Sequence, residues 1–212
     1  NFQFPMKKER KLYGVYMVLR YGKMDIINKN NVSDTHFYKK KCNKKDAECN
    51  ELPPGYIFKT WRPGFRKPVP DGVNFLPFFI WWLFHYLRIF SNRNYLLILV
   101  YKDNYLVHRT SIFPRYFRFP FMNKRDLQIG ATWTCSKHRG KGIATYCLNK
   151  ACTVFPQSVL WYLVDFTNIA SIKVVEKVGF DYVGQGVRKS KYGLKIFGNF
   201  TIEKELSNEK RN

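Results

Sequence analysis

Acidic residues are scarce in this chain. Its 212 residues include 15 Asp and Glu against 37 Lys and Arg, so the formal net charge is +22 at pH 7. An excess of this size favours anionic partners such as nucleic acid, phosphorylated metabolites or an anionic membrane surface. The charge by itself does not choose among these three classes.

Cysteine is also scarce, and its spacing excludes the usual zinc motifs. The five cysteines are odd in number and form neither a CxxC pair nor a His-coupled metal spacing. Such usage is typical of reduced thiols in a cytoplasmic compartment. We therefore expect free thiols, no metal site and a cytoplasmic protein.

No hydrophobic run is long enough to cross a membrane. The strongly apolar residues 75–90 would reach about 24 Å as a helix, short of a hydrocarbon core of roughly 30 Å. The opening NFQFPMKKERK has no apolar region of the signal-peptide type, so export is not expected.

The same apolar segment predicts a helix with two different faces. One face collects Leu76, Phe79, Ile80, Leu83 and Leu87, and another collects Trp81, His85 and Arg88. We expect one face to be buried in the domain. Contact of this helix with anionic lipid headgroups at the inner membrane face is the alternative.

Two common nucleotide-binding motifs are absent or incomplete. The P-loop pattern GxxxxGK[ST] does not occur, and GKGIAT places Thr145 where the dinucleotide pattern GxGxxG needs its third glycine. Only one βαβ unit is evident, whereas the other predicted strands look antiparallel. A dinucleotide-binding fold is therefore not expected.

The patterns that are present predict a single mixed α/β domain over residues 1–212. The 45% apolar content suffices for one core. Strands are predicted at 11–20 and 126–134, and NYLLILVYKDNYLVHRTSIF predicts a hairpin that turns at Asp103 and Asn104.

Two segments before this hairpin look irregular. The lysine-rich residues 29–51 contain few apolar side chains and predict a solvated loop. The prolines within residues 52–70 are expected to hold that segment extended or in turns.

A glycine-rich turn, CSKHRGKG, lies between the strand at 126–134 and the helix-like stretch IATYCLNKACTVF, and an apolar strand at 159–165 follows. A helix N-terminus presents backbone N–H groups, and glycines let an anion approach the backbone. Arg139 and Lys141 add cationic donors. The turn therefore predicts a phosphate or pyrophosphate site, with a plain connecting turn as the alternative.

These residues resemble the GNAT superfamily of acyl-CoA-dependent N-acetyltransferases. RGKGIA at 139–144 is similar to the Q/R-x-x-G-x-G/A pyrophosphate loop of that family, and NIASIKVVEKVGFDYVG at 168–184 is similar to its Asn-x-x-Ser/Ala helix and Gly-Phe turn. The resemblance implies a central, mostly antiparallel sheet with helices on both faces. It also implies splayed parallel fourth and fifth strands, acetyl-CoA as co-substrate, an acceptor-side region at 52–94 and a cofactor-binding core at 95–204.

The resemblance carries site residues over position by position. Trp133 and Thr134 would pair with the pantetheine arm through their backbone, and Asn168 and Ser171 would contact the same arm. The pyrophosphate would lie against Arg139, Gly140, Lys141, Gly142, Ile143, Ala144 and Thr145. Lys177 could reach the nucleotide phosphates, although a solvated surface charge is the favoured interpretation. Asn168 can serve as a helix N-cap as well as contact the arm.

The catalytic groups depart from the family pattern. Val175 stands where many members have a tyrosine that protonates the thiolate, and Gln128 stands where many have a glutamate base. If the reaction needs a base, Asp126 or His108 is expected to supply it, through water if necessary. Transfer by proximity alone, to an amine that is already neutral, is the alternative.

The resemblance implies transfer of an acetyl group to an amine. The basic and aromatic residues of the first half favour an anionic or sugar-bearing acceptor, and an amino sugar of surface polysaccharide synthesis is our first expectation. A protein or peptide amine is the second. A nucleic-acid-binding module is the rival from another class, although it would leave RGKGIA without a purpose.

Overall fold

In a computed structural model, which describes residues 35–43, 51–191 and 194–203, eight strands form one sheet. The strands are β1 (Thr35–Lys41), β2 (Tyr56–Trp61), β3 (Leu96–Lys102), β4 (Tyr105–Pro114), β5 (Leu127–Thr134), β6 (Val159–Asp165), β7 (Asp181–Lys191) and β8 (Leu194–Glu203). The helices are α1 (Phe75–Tyr86), α2 (Ile143–Val154) and α3 (Ile169–Lys177), with one 3-10 turn at Ser136–His138. The strand order is β2-β3-β4-β5-β6-β1-β7-β8.

The sheet is antiparallel except at one place. Strands β5 and β6 run parallel, and their pairing covers only the steps from Leu127 to Ile129 of β5. Beyond Ile129 the two strands separate. This splayed parallel pair within a mostly antiparallel sheet confirms the predicted fold class, although the pair is fifth and sixth in chain order.

Helices cover both faces of the sheet. Helices α2 and α3 pack on one face, which we call the cofactor face, and contribute Ile143, Cys147, Leu148 and Val175 to its core. Helix α1 packs on the other, which we call the acceptor face. The core of the acceptor face is largely aromatic and includes Phe37, Phe78, Phe90, Tyr95, Phe113, Tyr116, Phe119, Trp161 and Phe200.

The prediction of a solvated loop over residues 29–51 is wrong for β1. This strand lies inside the sheet, antiparallel to both β6 and β7, and buries Phe37 and Tyr38. Gly186 of β7 makes room for it, because a Cβ there would lie 1.7 Å from the Phe37 ring. The Nζ of Lys40 donates to the carbonyl of Val178 at 2.7 Å. The ammonium group of this lysine therefore has a hydrogen-bond acceptor within the domain although the strand lies inside the sheet.

Helix α1 buries a different face from the one its most aliphatic residues suggest. Phe78 and His85 are buried, and Trp81 packs against the same core, whereas Leu76 and Leu87 are 64% and 66% exposed. The reason is that the acceptor-face core is aromatic and receives the aromatic side of the helix. None of the helices in the described ranges has the length and hydrophobicity needed to cross a lipid bilayer.

The hairpin prediction is confirmed. Strands β3 and β4 are joined at Asp103 and Asn104, which have φ of 49° and 63°, as a tight two-residue hairpin turn requires. The prolines before it flank an extended strand, β2. The strand predicted at 11–20 lies outside the described residues.

Candidate active site

The separation of β5 from β6 creates a free backbone edge. From Gly130 to Thr134 the β6-facing side of β5 has no ladder partner among the described residues, while its other side stays paired with β4. Ala131 has a φ of 50° and marks the irregular step in the β4–β5 register. An extended ligand can therefore pair with this edge as an added strand.

The glycine turn stands directly beyond the free edge. Gly140 and Gly142 have φ of 75° and 74°, and Gly142 caps α2 in the left-handed conformation. A Cβ at either position would meet no atom within 4 Å, so the space over the turn is open. The first intrahelical bond is donated by Tyr146 to the carbonyl of Gly142, which leaves the N–H groups of Ile143, Ala144 and Thr145 without helical partners.

Cations surround this turn. The Nε of Arg139 donates to the carbonyl of Thr134 at 3.2 Å and ties the turn to the end of β5. The Nζ of Lys141 lies 3.3 Å from the hydroxyl of Tyr56, which is itself 2.7 Å from Nδ1 of His138. Burial, together with Lys141 and Lys102, lowers the pKa of His138. The turn thus combines free N–H groups with positive potential, as a phosphate site requires.

The turn before α3 is closed by its own side chains. Oδ1 of Asn168 accepts the N–H of Ser171 at 3.2 Å and caps the helix. Asp165 accepts the N–H and hydroxyl of Thr167. Asn168 therefore serves as a helix N-cap, one of the two roles predicted for it. It lies at the N-terminal end of α3, which follows β6. Lys177 is exposed at the opposite end of α3.

His108 lies on the cofactor face opposite Thr134. Its ring nitrogens lie 2.8 Å and 2.9 Å from the hydroxyls of Thr134 and Thr110. Burial first, and then Arg109, lower its pKa to about 3. At neutral pH the imidazole is uncharged and a weak base, held so that it can orient the Thr134 hydroxyl.

Asp126 and Gln128 lie on the acceptor face, before the point where β5 and β6 separate. Oδ2 of Asp126 accepts the indole N–H of Trp161 and the N–H of Asn123, both at 2.9 Å. The Nε2 of Gln128 donates to the carbonyl of Ile129 at 2.8 Å. Thus the sheet keeps Asp126 apart from His108, on its opposite face, and within the described residues no cluster of His, Cys, Asp and Glu could hold a metal ion.

Arg109 is a functional candidate that sequence reasoning missed. Its side chain is only 7% exposed, and its guanidinium lies 5.4 Å from the ring centres of both Phe78 and Trp133. Burial lowers its pKa to about 10, so it remains charged at neutral pH. No signal in the run YLVHRTSIF distinguishes a buried arginine from a surface one.

An open groove of about 380 Å³ lies on the acceptor face over β2 and β3. Its walls include Lys59, Trp61 and Leu99. The strand register places Lys59, Leu99, Arg109 and Trp133 in one row across β2, β3, β4 and β5. A molecule in the groove therefore lies on the row of residues that leads to the free edge of β5.

Comparison with known proteins gives one family and a set of distant structural likenesses. The sequence profile described as "Acetyltransferase (GNAT) family" matches residues 56–180, more than half of the chain. No curated protein matches this chain in sequence.

Three solved structures illustrate the structural likenesses. A functionally unknown conserved protein from Staphylococcus epidermidis is 10% identical, with a TM-score of 0.45 over 70% of this chain and 57% of its own. A GCN5-related N-acetyltransferase-like protein from Streptococcus suis is 15% identical, with a TM-score of 0.42 over 80% and 64%. A GNAT-family acetyltransferase from Colwellia psychrerythraea is 12% identical, with a TM-score of 0.42 over 86% and 73%. The chain thus spans less than two thirds of the length of the first two.

Proposed function

The chain belongs to the GNAT family of acetyltransferases, and from this premise we propose that it transfers an acetyl group from acetyl-CoA to an amine within a ternary complex. In this reaction the amine nitrogen attacks the thioester carbonyl, a C–N bond forms, and the C–S bond breaks. The amine loses one proton and the departing thiolate gains one. The protein must therefore hold the two substrates together and manage this proton.

The observation that carries the proposal is the free edge of β5 next to the glycine turn. The free edge at Trp133 and Thr134 would receive the amide groups of a pantetheine arm, and the carbonyl of Thr134 already accepts the Nε–H of Arg139. The N–H groups that begin α2, with Arg139 and Lys141, suit the pyrophosphate that follows the arm. In acetyl-CoA the amide groups of the arm precede the pyrophosphate, so the arm would lie along the edge of β5 and the pyrophosphate at the turn.

Other residues would support the co-substrate from neighbouring elements. Ser171, in the first turn of α3, and the N-cap Asn168 would face the pantetheine arm across the gap between β5 and β6. His108 would act by fixing the Thr134 hydroxyl rather than as a base, because a base with a pKa of about 3 accepts a proton poorly at neutral pH. Lys177 would be a surface charge.

We assign the base role to Asp126, acting through water. Its Oδ2 is held in place by the indole N–H of Trp161 and the backbone N–H of Asn123. Asp126 also lies on the acceptor face, as Arg109 does. Gln128 would only pack beside Gly130, because its amide is bonded to the backbone. Val175 has no hydroxyl that could donate a proton, so solvent would protonate the thiolate.

The proposed acceptor is an amino sugar, and a protein or peptide amine is the alternative. Aromatic faces and cations on the acceptor side, including Trp61 and Lys59 in the groove, suit a sugar that carries negative charge. Exposed apolar side chains lie before, on and directly after α1, namely Phe65, Phe75, Leu76 and Leu87. They support peripheral contact of a cytoplasmic protein with an anionic membrane.

Two measurements test the proposal. CoA should raise the melting temperature of the protein, and a mass-spectrometric screen of amines with acetyl-CoA should give a product heavier by one acetyl group. The rival nucleic-acid-binding function predicts strongly salt-dependent retention of DNA or RNA and no effect of CoA. If CoA does not change the melting temperature of the folded protein, the proposed acetyltransferase activity is refuted.

A further inference from the structure

Arg109 is a buried positive charge without a counter-charge. Among the described residues, no carboxylate forms an ion pair with it and no group accepts a hydrogen bond from its guanidinium, whose Nε is fully buried. Burying a charge without a partner is costly, and natural proteins seldom retain one unless it is used. The feature therefore requires a ligand or a compensating role.

Contact with two aromatic rings offsets only part of this cost. The ring centres of Phe78 and Trp133 each lie 5.4 Å from the guanidinium carbon, and a desolvated cation–π contact is worth about 2 kcal/mol or more. These rings accept no conventional hydrogen bond, so the guanidinium N–H groups keep no oxygen acceptor among the described residues. The fixed fork of these N–H groups suits a planar acceptor with two oxygens.

A second polar group on the same strand face is also without a partner. Ser111 follows Arg109 at the next inward-facing position of β4, and its hydroxyl is buried and makes no hydrogen bond to the described residues. Across the sheet it stands opposite Gly130, over which the amide of Gln128 and the ring of Phe113 lie. Arg109 and Ser111 thus lie on the same face of β4, next to the strand β5 whose other edge is free.

We propose that Arg109 and Ser111 bind the carboxylate of the amine acceptor. A carboxylate is planar and matches the arginine fork with two parallel hydrogen bonds, while Ser111 can donate a third. The bound carboxylate would lie next to Trp133, whose backbone we assign to the pantetheine arm, so it would align the acceptor amine with the thioester. This inference rests on the proposed acetyl transfer and narrows its acceptor to acidic amines, such as amino acids or amino-sugar acids.

The test compares paired amines that differ only in the acidic group. The pairs are β-alanine with β-alaninamide, and 2-aminohexuronic acid with 2-aminohexose, each offered with acetyl-CoA. Equilibrium binding in the presence of CoA is measured alongside kcat/KM. For the wild type we expect the acid of each pair to be favoured about ten- to hundredfold, as one desolvated, charge-assisted contact provides. Phosphoethanolamine distinguishes a carboxylate site from a general oxyanion site.

Three variants complete the test. Arg109→Met keeps the apolar stem between the two rings and should reduce the preference for the acid to about one. Arg109→Lys keeps the charge without the fork and should restore only part of it. Arg125→Met removes an exposed arginine before β5 and should leave the preference unchanged.

Three outcomes would overturn the assignment. They are equal binding of acid and amide by the wild type, an unchanged preference in Arg109→Met, and a preference for phosphoethanolamine over both acids. CoA binding is measured separately in the wild type and in every variant. A wild type that does not bind CoA would contradict the proposed function, whereas the preference for the acid can still be measured on its own.

Discussion

Gly142→Glu is the sharpest test of the cofactor turn. Gly142 has a φ of 74° and caps α2, and a Cβ there would point into open space. The substitution therefore costs the folded protein only the backbone penalty of a non-glycine residue in the left-handed region, about 1–2 kcal/mol. With CoA bound, the same side chain would bring a carboxylate against the pyrophosphate. Gly179→Glu is the matched control, because its φ is 79° and the nearest atom to its Cβ would be Nζ of Lys40 at 3.8 Å.

The two effects can be separated by their size. Both variants should unfold at lower temperature than the wild type by a similar amount, about 2–8 °C for a penalty of 1–2 kcal/mol. At a CoA concentration of 100 times the wild-type Kd, binding stabilises the protein by about 2.7 kcal/mol. A tenfold loss of affinity reduces this gain to about 1.4 kcal/mol. For Gly142→Glu the stabilisation by CoA should be about 1.4 kcal/mol or less. For Gly179→Glu it should stay at the wild-type value of about 2.7 kcal/mol.

The assay is a titration of CoA followed by thermal unfolding and by calorimetry. A Gly142→Glu protein that binds CoA with wild-type affinity would refute the assignment of the turn to the pyrophosphate. If both variants lose affinity equally, the loss reflects general destabilisation, and the turn has no special role. We expect the wild type and Gly179→Glu to bind CoA with similar affinity, and Gly142→Glu alone to lose affinity for CoA.

Three further predictions concern other parts of the molecule. Asp126→Asn keeps an oxygen for the indole of Trp161, so we expect wild-type CoA affinity with turnover reduced roughly 10²- to 10⁴-fold; near-normal turnover would exclude Asp126 as the base. His108 has a folded pKa of about 3 against an ordinary value of 6.5, so the unfolded chain takes up the proton first and stability falls as pH drops below about 6.5. Urea unfolding at pH 7 and pH 5 should show a loss about 2 kcal/mol larger in the wild type than in His108→Gln, and equal losses would contradict this burial effect. Replacing Leu76 and Leu87 by Ser should weaken sedimentation with vesicles rich in anionic lipid while CoA affinity stays constant, and unchanged sedimentation would argue against membrane contact through α1.

The parts of the fold that could be predicted carry local signals. Asp103 and Asn104 tolerate positive φ between two β-rich runs, and the glycine turn follows a strand and precedes a helix. These features depend on residues close in sequence, so the hairpin and the βαβ unit can be predicted from short stretches of the chain.

Strand β1 could not be predicted for a physical reason. Its lysines look solvated in sequence, and only the neighbouring strands decide that Phe37 and Tyr38 are buried between β6 and β7. Helix α1 presents the same difficulty, because aromatic and aliphatic residues occur on several of its faces, and the aromatic core selects among them.

The candidate site divides in the same way. The proposed anion-binding turn could be predicted from the sequence because its glycines, cations and helix start are contiguous. Arg109 and its contact with Phe78 and Trp133 depend on residues from β4, α1 and β5, which only the folded chain brings together. Asp126 and His108 lie on opposite faces of the sheet. Strand alternation could have indicated this separation only if the register of the strands had been known.

The position of β1 has a consequence for how the molecule folds. Among the described residues, β1 alone joins β7 and β8 to the rest of the sheet, and its contact from Lys40 to Val178 closes a loop of 138 positions. Contacts of such long range form slowly, because the entropy of closing the loop is lost before the strand gains its partners. Until β1 docks, both β6 and β7 have open edges that another copy's β1 could occupy. Exchange of this strand between two chains is therefore the misassembly to which this fold is most exposed during refolding at high concentration.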